Sequence, residues 1–244
     1  MIEVERLTIR YPGSVDALRE ISLSVANGES VAIVGANGAG KSTLLHALAG
    51  VIPASGGHIR IGGTELTKRT LTEIRSKVGL VFQNPDDQLF MPVLREDIAF
   101  GPRNYGVNEE EVQARVDETL KTLHIEHLRD RSPLRMSGGE KRIAAIATVL
   151  CMRPEALLFD EPSAFLDPKA RRSLIRLLAQ LKETKLIATH DLALAVDLCD
   201  RVLVLKCGQI AASGRPRELL FDERLMDECG LEAIQLLCDS DGLP

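Results

Sequence analysis

Residues 35–43 read GANGAGKST, and no other stretch of the chain constrains its fold as tightly. The segment fits the phosphate-binding pattern G-x-x-x-x-G-K-[ST] through Gly35, Gly40, Lys41 and Ser42. It follows the apolar run Val31–Val34 and opens the helical spacing Leu44, Leu45, Leu48, which stops at Gly50. That strand–loop–helix order is the context the motif requires, and it belongs to an α/β fold. Backbone N–H groups from Gly38 to Thr43 then point into one concavity at a helix N-terminus, where the helix dipole favours anions. Asn37, Ala39 and Thr43 complete the cradle. Lys41 would reach the β and γ phosphates of a nucleotide, and the Ser42 hydroxyl would ligate Mg²⁺.

The chain has 244 residues, 45% hydrophobic and 27% charged, the profile of a globular protein with a sizeable core. A formal net charge of −5 argues against a nucleic-acid footprint, which would be basic. The longest apolar stretch, Ile143 to Met152, is too short to span a bilayer. Early acids in MIEVE speak against a signal peptide. Five scattered cysteines (Cys151, Cys199, Cys207, Cys229, Cys238) include no C-x-x-C pair and read as reduced thiols. His124 and His127 lie on an expected helix with no carboxylate or thiol cluster beside them, so they read as surface residues.

Alternating apolar positions at Ile2/Val4, Leu7/Ile9, Ile21/Leu23/Val25 and Val31/Ile33, with turns at Pro12-Gly13 and Asn27-Gly28, predict antiparallel strands leading into the loop. Further strands are expected at 58–61, 78–82, 156–159 and 185–189, and a hairpin at 202–212 turning on Lys206-Cys207-Gly208. Helical spacing predicts helices over 109–131, 140–151, 169–181 and 192–198. A short helical tail after Pro216 would pack through Leu219, Leu225, Met226, Leu231 and Leu236.

Two further segments carry chemistry. ALLFDE (156–161) is an apolar strand ending in two acids, at the strand end where α/β sheets place ligands. Asp160 can hold Mg²⁺ there, and Glu161 can polarise a water for attack on a γ-phosphate. MSGGEKR (136–142) precedes a helix rich in Ile and Ala. Ser137, Gly138 and Gly139 offer a second anion site at a helix N-terminus, or else simply cap that helix.

With the P-loop, SGG, the Asp-Glu strand end, Gln83 after GLVF, and ATHD with His190 all in order, the chain resembles the nucleotide-binding subunits of ABC transporters from Met1 to about Leu219. The resemblance implies a P-loop NTPase core of ABC type with an N-terminal antiparallel β subdomain and a helical subdomain over about 85–152. All of 1–244 would then form one nucleotide-binding domain, with a short tail over 217–244. It implies that Tyr11 stacks on adenine, that Gln83 touches Mg²⁺ and senses a membrane partner, and that His190 contacts the γ-phosphate. Asp167, in SAFLD, would cross a dimer interface. Two ATP molecules would be sandwiched in a head-to-tail homodimer, or a heterodimer with a second ABC ATPase. Two departures stand out: Glu140 where many members carry Gln, and Phe165 where a small residue is common.

QNPDDQLF (83–90), REDIAFGP (95–102), SGGEKR and SAFLDP together resemble the ATPases of energy-coupling-factor importers, especially those for cobalt or nickel. That resemblance implies a membrane T component docked after Gln83, a separate substrate-capture subunit, and a peripheral location on the cytoplasmic face of the cell membrane. The short tail leans toward the metal type over the vitamin type. One copy of each motif and no heptad run set aside a soluble ABC ATPase of translation or DNA repair.

Overall fold

The computed structural model describes residues 1–11, 13 and 16–235; Pro12, Leu236 and Cys238 of the sequence reading lie outside them. β1 (Ile2–Arg10) and β2 (Asp16–Val25) pair antiparallel, with Ile2 opposite Val25 and Val4 opposite Leu23. The chain then runs up β3 (Ser30–Gly35) and through α1 (Lys41–Leu48). It returns by β4 (Gly56–Ile61) and β5 (Thr64–Glu65), completing a four-stranded sheet of order β2-β1-β4-β5.

The rest of the chain alternates helices and strands. In order come α2 (Leu71–Lys77), β6 (Val78–Val81), α3 (Leu94–Asn104), α4 (Glu109–Thr122) and α5 (Gly138–Leu150). After them follow β7 (Ala156–Asp160), α6 (Pro168–Gln180), β8 (Thr184–Ala188), α7 (Leu192–Leu198), β9 (Arg201–Lys206), β10 (Gln209–Gly214), α8 (Pro216–Leu219) and α9 (Glu223–Glu228). Six strands form a second sheet of order β10-β9-β3-β8-β7-β6, parallel throughout except for β10. Its hairpin turns on Cys207 (φ 49°) and Gly208 (φ 77°); two successive positive φ angles suit a tight turn between twisted strands.

The parallel strands are buried on both faces, and their period of two divides the core. Ala32, Val34, Leu157, Phe159, Ile187, Val202 and Val204 pack toward α3–α7. Their neighbours Val31, Ile33, Ala156, Leu158, Leu186, Ala188, Leu203 and Leu205 pack toward α1 and the antiparallel sheet. The P-loop strand is thereby clamped between two cores.

The helix expected over 109–131 ends at Thr122. His124 adopts φ 56° and donates its N–H to Lys121, while Ile125 donates to Leu120, the hydrogen-bond pattern of a left-handed helix stop. A short 3₁₀ turn at Glu126–Leu128 follows. The break turns both His124 and His127 to solvent. Among the described residues no helix is long and apolar enough to cross a membrane.

Candidate active site

Gly35 to Thr43 wraps the N-terminus of α1. Gly40 caps that helix at φ 105°, a conformation L-residues rarely adopt, and a Cβ there would sit 2.7 Å from a Leu18 methyl and 2.9 Å from the Ala17 carbonyl. The β9–β10 turn braces the loop from outside, since Gly208 N–H donates to the Ala39 carbonyl at 3.1 Å. Lys41 is buried, and its ammonium donates to the carbonyls of Gly35 (2.8 Å) and Ala36 (3.3 Å). The cation thus lies across the cradle rather than out in solvent. Tyr11 reaches the loop from the end of β1, with its hydroxyl 3.3 Å from Thr43 Oγ1.

The carboxyl ends of the parallel strands converge on this loop. From β7, Asp160 Oδ1 accepts the Ser42 hydroxyl at 3.0 Å. Glu161 follows at φ 47°, a strained value for a carboxylate residue, held because its N–H donates to Ala188 of β8 at 2.9 Å. Its side chain is mostly buried and is gripped by the residue that leaves β8. Glu161 Oε2 accepts the His190 backbone N–H at 3.1 Å and lies 2.7 Å from His190 Nδ1. Asp191 is fixed beside it by Ser163 (3.1 Å) and by Arg171 Nη2 (2.7 Å). Burial pushes the Asp191 carboxyl up, but Arg171 and the Leu194 N–H outweigh it and leave it below the ordinary carboxylate range.

From β6, the chain passes Phe82 and the exposed Gln83. Three backbone groups here are held by side chains. Phe82 N–H donates to Gln88 Oε1 (3.0 Å), and Arg142 of α5 donates to the carbonyls of Phe82 (2.9 Å) and Gln83 (2.7 Å). A cleft of about 370 Å³ results, lined by Tyr11, Ala17, Asn37 through Thr43, Gln83 and Glu161. Asp160 joins it through Ser42, and His190 through Glu161.

Ser137, Gly138, Gly139 and Asp167 do not line that cleft. Ser137 caps α5: its Oγ accepts Glu140 N–H (3.3 Å), and its own N–H donates to Glu140 Oε2 (2.7 Å). Glu140, at the position where Gln was expected, closes this capping box. The Ser137 N–H and hydroxyl draw the Glu140 carboxyl below its ordinary value. Gly138 faces open space: a Cβ there would meet none of the described residues within 4 Å. Asp167 caps α6 by accepting from Lys169 and Ala170 N–H. Phe165, two residues earlier, is 96% exposed at φ 63°.

Sequence reasoning missed Ala17, Gln88 and Arg142, and the Glu161–His190 contact. Arg142 carried a signal: it is a cation on the buried, Ala/Ile-rich face of α5, where a charge needs a partner.

The sequence profile of the ABC transporter family matches residues 18–164. A cobalt import ATP-binding protein, CbiO, of Rhodobacter capsulatus is 45% identical over 95% of this chain and 84% of its own length. An energy-coupling factor transporter ATP-binding protein, EcfA, of Methanothermobacter thermautotrophicus is 44% identical over 95% of this chain and 76% of its own. The solved structure of cbiO1 from Clostridium perfringens, part of the transporter complex cbiONQ, superposes with a TM-score of 0.83 at 36% identity over 93% of each chain. The ATP-binding cassette MJ0796, solved as a dimer in a post-hydrolysis state with ADP and Pi, superposes at 0.78 with 28% identity, covering 89% of this chain and 99% of that one. The residues at the strand ends, the P-loop between them and these matches have one reading: the chain belongs to the ABC transporter family and is an ATP-hydrolysing transporter subunit.

Proposed function

We propose that this ATPase energises uptake of cobalt or nickel ions through an energy-coupling-factor importer. The observation that carries the metal reading is the 45% identity, over 95% of the chain, with a cobalt import ATPase. The likeness to cbiO1 and the QNPDDQLF and REDIAFGP segments support it. In this reading the whole of 1–244 is one nucleotide-binding domain with its helical part over about 85–152. It sits peripherally on the cytoplasmic face of the membrane, beside a T component and a substrate-capture subunit, and binds no nucleic acid.

Within the site, Asn37 through Thr43 cradle the ATP phosphates, with Lys41 as their counter-charge and Tyr11 against the adenine. The Ser42 and Asp160 oxygens suit Mg²⁺: they are hard donors 3.0 Å apart. Adjacent corners of an octahedron with 2.0–2.1 Å bonds lie about 2.9 Å apart. Ser42, Asp160 and Gln83 would hold the ion, which would supply positive charge to neutralise the phosphate oxygens. Glu161 takes the proton from the attacking water. With Nδ1 held by Glu161, His190 presents its other ring nitrogen to the γ-phosphate. Ser137, Gly138, Gly139 and Asp167 act across a homodimer, or a heterodimer with a second ABC ATPase. Support for that pairing comes from Gly138, which opens on none of the described residues, and from the dimeric MJ0796 cassette.

Uptake of labelled Co²⁺ and Ni²⁺ by cells with and without this gene tests the reading. Deletion should abolish metal uptake. Unchanged metal uptake alongside lost vitamin uptake would assign the vitamin-type importer instead and leave the ATPase intact.

A further inference from the structure

Arg142 is a buried cation with an unusual pair of partners. Only 2% of it is exposed, yet no carboxylate among the described residues pairs with it; its fork closes on two successive main-chain carbonyls about sixty residues away, at Phe82 and Gln83. Its Nε has no partner among the described residues. Burial holds the guanidinium below its ordinary value, and the Asp160 carboxylate opposes that shift from nearby. Such a group is costly to bury, and its two-pronged geometry is hard to replace.

The surrounding contacts make the same link from other sides. Gln88 grips Phe82 N–H and donates its amide to Ala145 O (2.7 Å) and Thr148 Oγ1 (2.8 Å) of α5. Lys141, next to Arg142, pairs with Asp86 at 2.6 Å. On the opposite side, the Phe82 ring meets the edge of His46 of α1, the P-loop helix, with centroids 6.4 Å apart. The Phe82–Gln83 segment is therefore tied along the Ser137–Gly139 helix at Lys141, Arg142, Ala145 and Thr148, and touches the P-loop helix through the Phe82–His46 contact.

We propose that Arg142 is a positioning residue for ATP hydrolysis: it fixes the main chain at Phe82–Gln83 to the N-terminal half of α5, so that the Gln83 side chain and the Ser137–Gly139 loop are placed as one unit. The proposal rests on the reading of Gln83 as a residue of the Mg²⁺-ATP site. Arg142 does not line the cleft of Tyr11, the P-loop, Gln83 and Glu161, so its effect passes through Gln83. Loss of the fork lets the Gln83 peptide drift, and kcat falls while the P-loop still holds ATP.

A double-mutant cycle on the full-length ATPase tests this, read as kcat, KM for ATP and apparent Mg²⁺ half-saturation. Arg142→Lys keeps the charge near Asp160 but cannot span two carbonyls. It is expected to lower kcat about tenfold and to raise the Mg²⁺ half-saturation, with KM for ATP within about twofold. In a Gln83→Ala background the same substitution should change nothing further. Gln88→Leu removes the other grip on Phe82 without touching Arg142, and it should couple to Gln83 in the same way; it covers the case in which Arg142→Lys melts below assay temperature. Full activity of Arg142→Lys would mean that charge alone matters and would overturn the proposal. Equal losses with and without Gln83 would overturn it too, leaving the site reading intact. Unchanged turnover of Gln83→Ala by itself would overturn both.

Discussion

Two glycine-rich loops of this chain each sit at a helix N-terminus, and they are finished to different degrees. In the P-loop three residues are held from within the chain. Gly40 is boxed in by Leu18 and Ala17, Lys41 is held by two loop carbonyls, and Ser42 is held by Asp160. The Ser137–Gly139 loop is satisfied only as a helix cap, through Ser137 and Glu140. Its outward face meets none of the described residues at Gly138, as at Gly38 of the P-loop, and the nearby SAFLD segment leaves Phe165 96% exposed. The same dipole and the same orphan N–H groups recur at both loops; in the proposed reading the first is an anion seat complete in one chain and the second a half-seat. A half-seat is what an interface between two copies would need, and mutations at the two loops should fail in different ways.

The largest effect is expected at Glu161. Glu161→Gln keeps the size of the side chain but cannot take a proton, and loss of a general base costs roughly 10²- to 10⁴-fold in turnover. Phosphate release should collapse while ATP binding survives. With ATP this variant should run as a dimer on size exclusion, and adding Gly138→Asp should return it to a monomer. A dimer that persists with Gly138→Asp would mean that the second loop does not face ATP.

That contrast also marks how far the sequence could be read. The P-loop is legible because its residues are contiguous and their spacing is itself the geometry. Asp160 and Glu161 are legible because an unbroken apolar run must end where the sheet does. The antiparallel sheet and the hairpin at Cys207-Gly208 follow from alternation and turn residues. What stayed hidden depends on pairings distant in sequence. Glu161 and His190 meet across 29 residues, and Arg142 reaches Phe82 across 60. The stop of α4 at His124 was hidden for a different reason: a non-glycine residue takes the left-handed conformation there, and apolar spacing carries no sign of it.

Next in size is a pair that separates core from surface beside Gln83. Leu89 is 7% exposed and belongs to the core, whereas its neighbour Phe90 is 61% exposed and stacks edge-on against Phe100 at 4.9 Å. The turn between β6 and α3 is pinned by Asp97, whose carboxylate accepts Phe90 and Met91 N–H at 3.0 Å each. Leu89→Arg buries an unpaired charge and should destabilise the fold by about 4 kcal/mol or more, seen as a large drop in melting temperature. Phe90→Asp should leave the melt and basal ATPase nearly unchanged and reduce metal uptake. Equal melting losses for both would place Phe90 in the core as well and remove it as a docking residue.

Gly40→Ala and Gly138→Ala compare the two loops directly. At Gly40 the new methyl meets backbone and needs a positive φ, so about 1–3 kcal/mol of stability should be lost together with nucleotide binding. At Gly138 the methyl enters open space. Melting temperature and binding of a fluorescent ATP analogue to the monomer should hold, while steady-state turnover falls. Unchanged turnover in Gly138→Ala would argue that nothing approaches that face.

The smallest effect concerns the cap that holds the half-seat together. The Glu140 carboxyl is drawn below its ordinary value by the Ser137 backbone N–H and then by the Ser137 hydroxyl. A depressed folded-state value means that the charged form stabilises the fold. That contribution is complete above the ordinary glutamate range and is lost as pH falls through the depressed value. Glu140→Gln keeps the capping geometry but removes the charge at a helix N-terminus, a charge worth about 0.5 kcal/mol at an accessible site. Wild type should therefore melt slightly above Glu140→Gln at neutral pH, and the gap should close in acid. A gap that stayed constant from neutral pH to about pH 3 would mean that the amide fails as a cap for steric reasons, since charge at α5 would then contribute nothing.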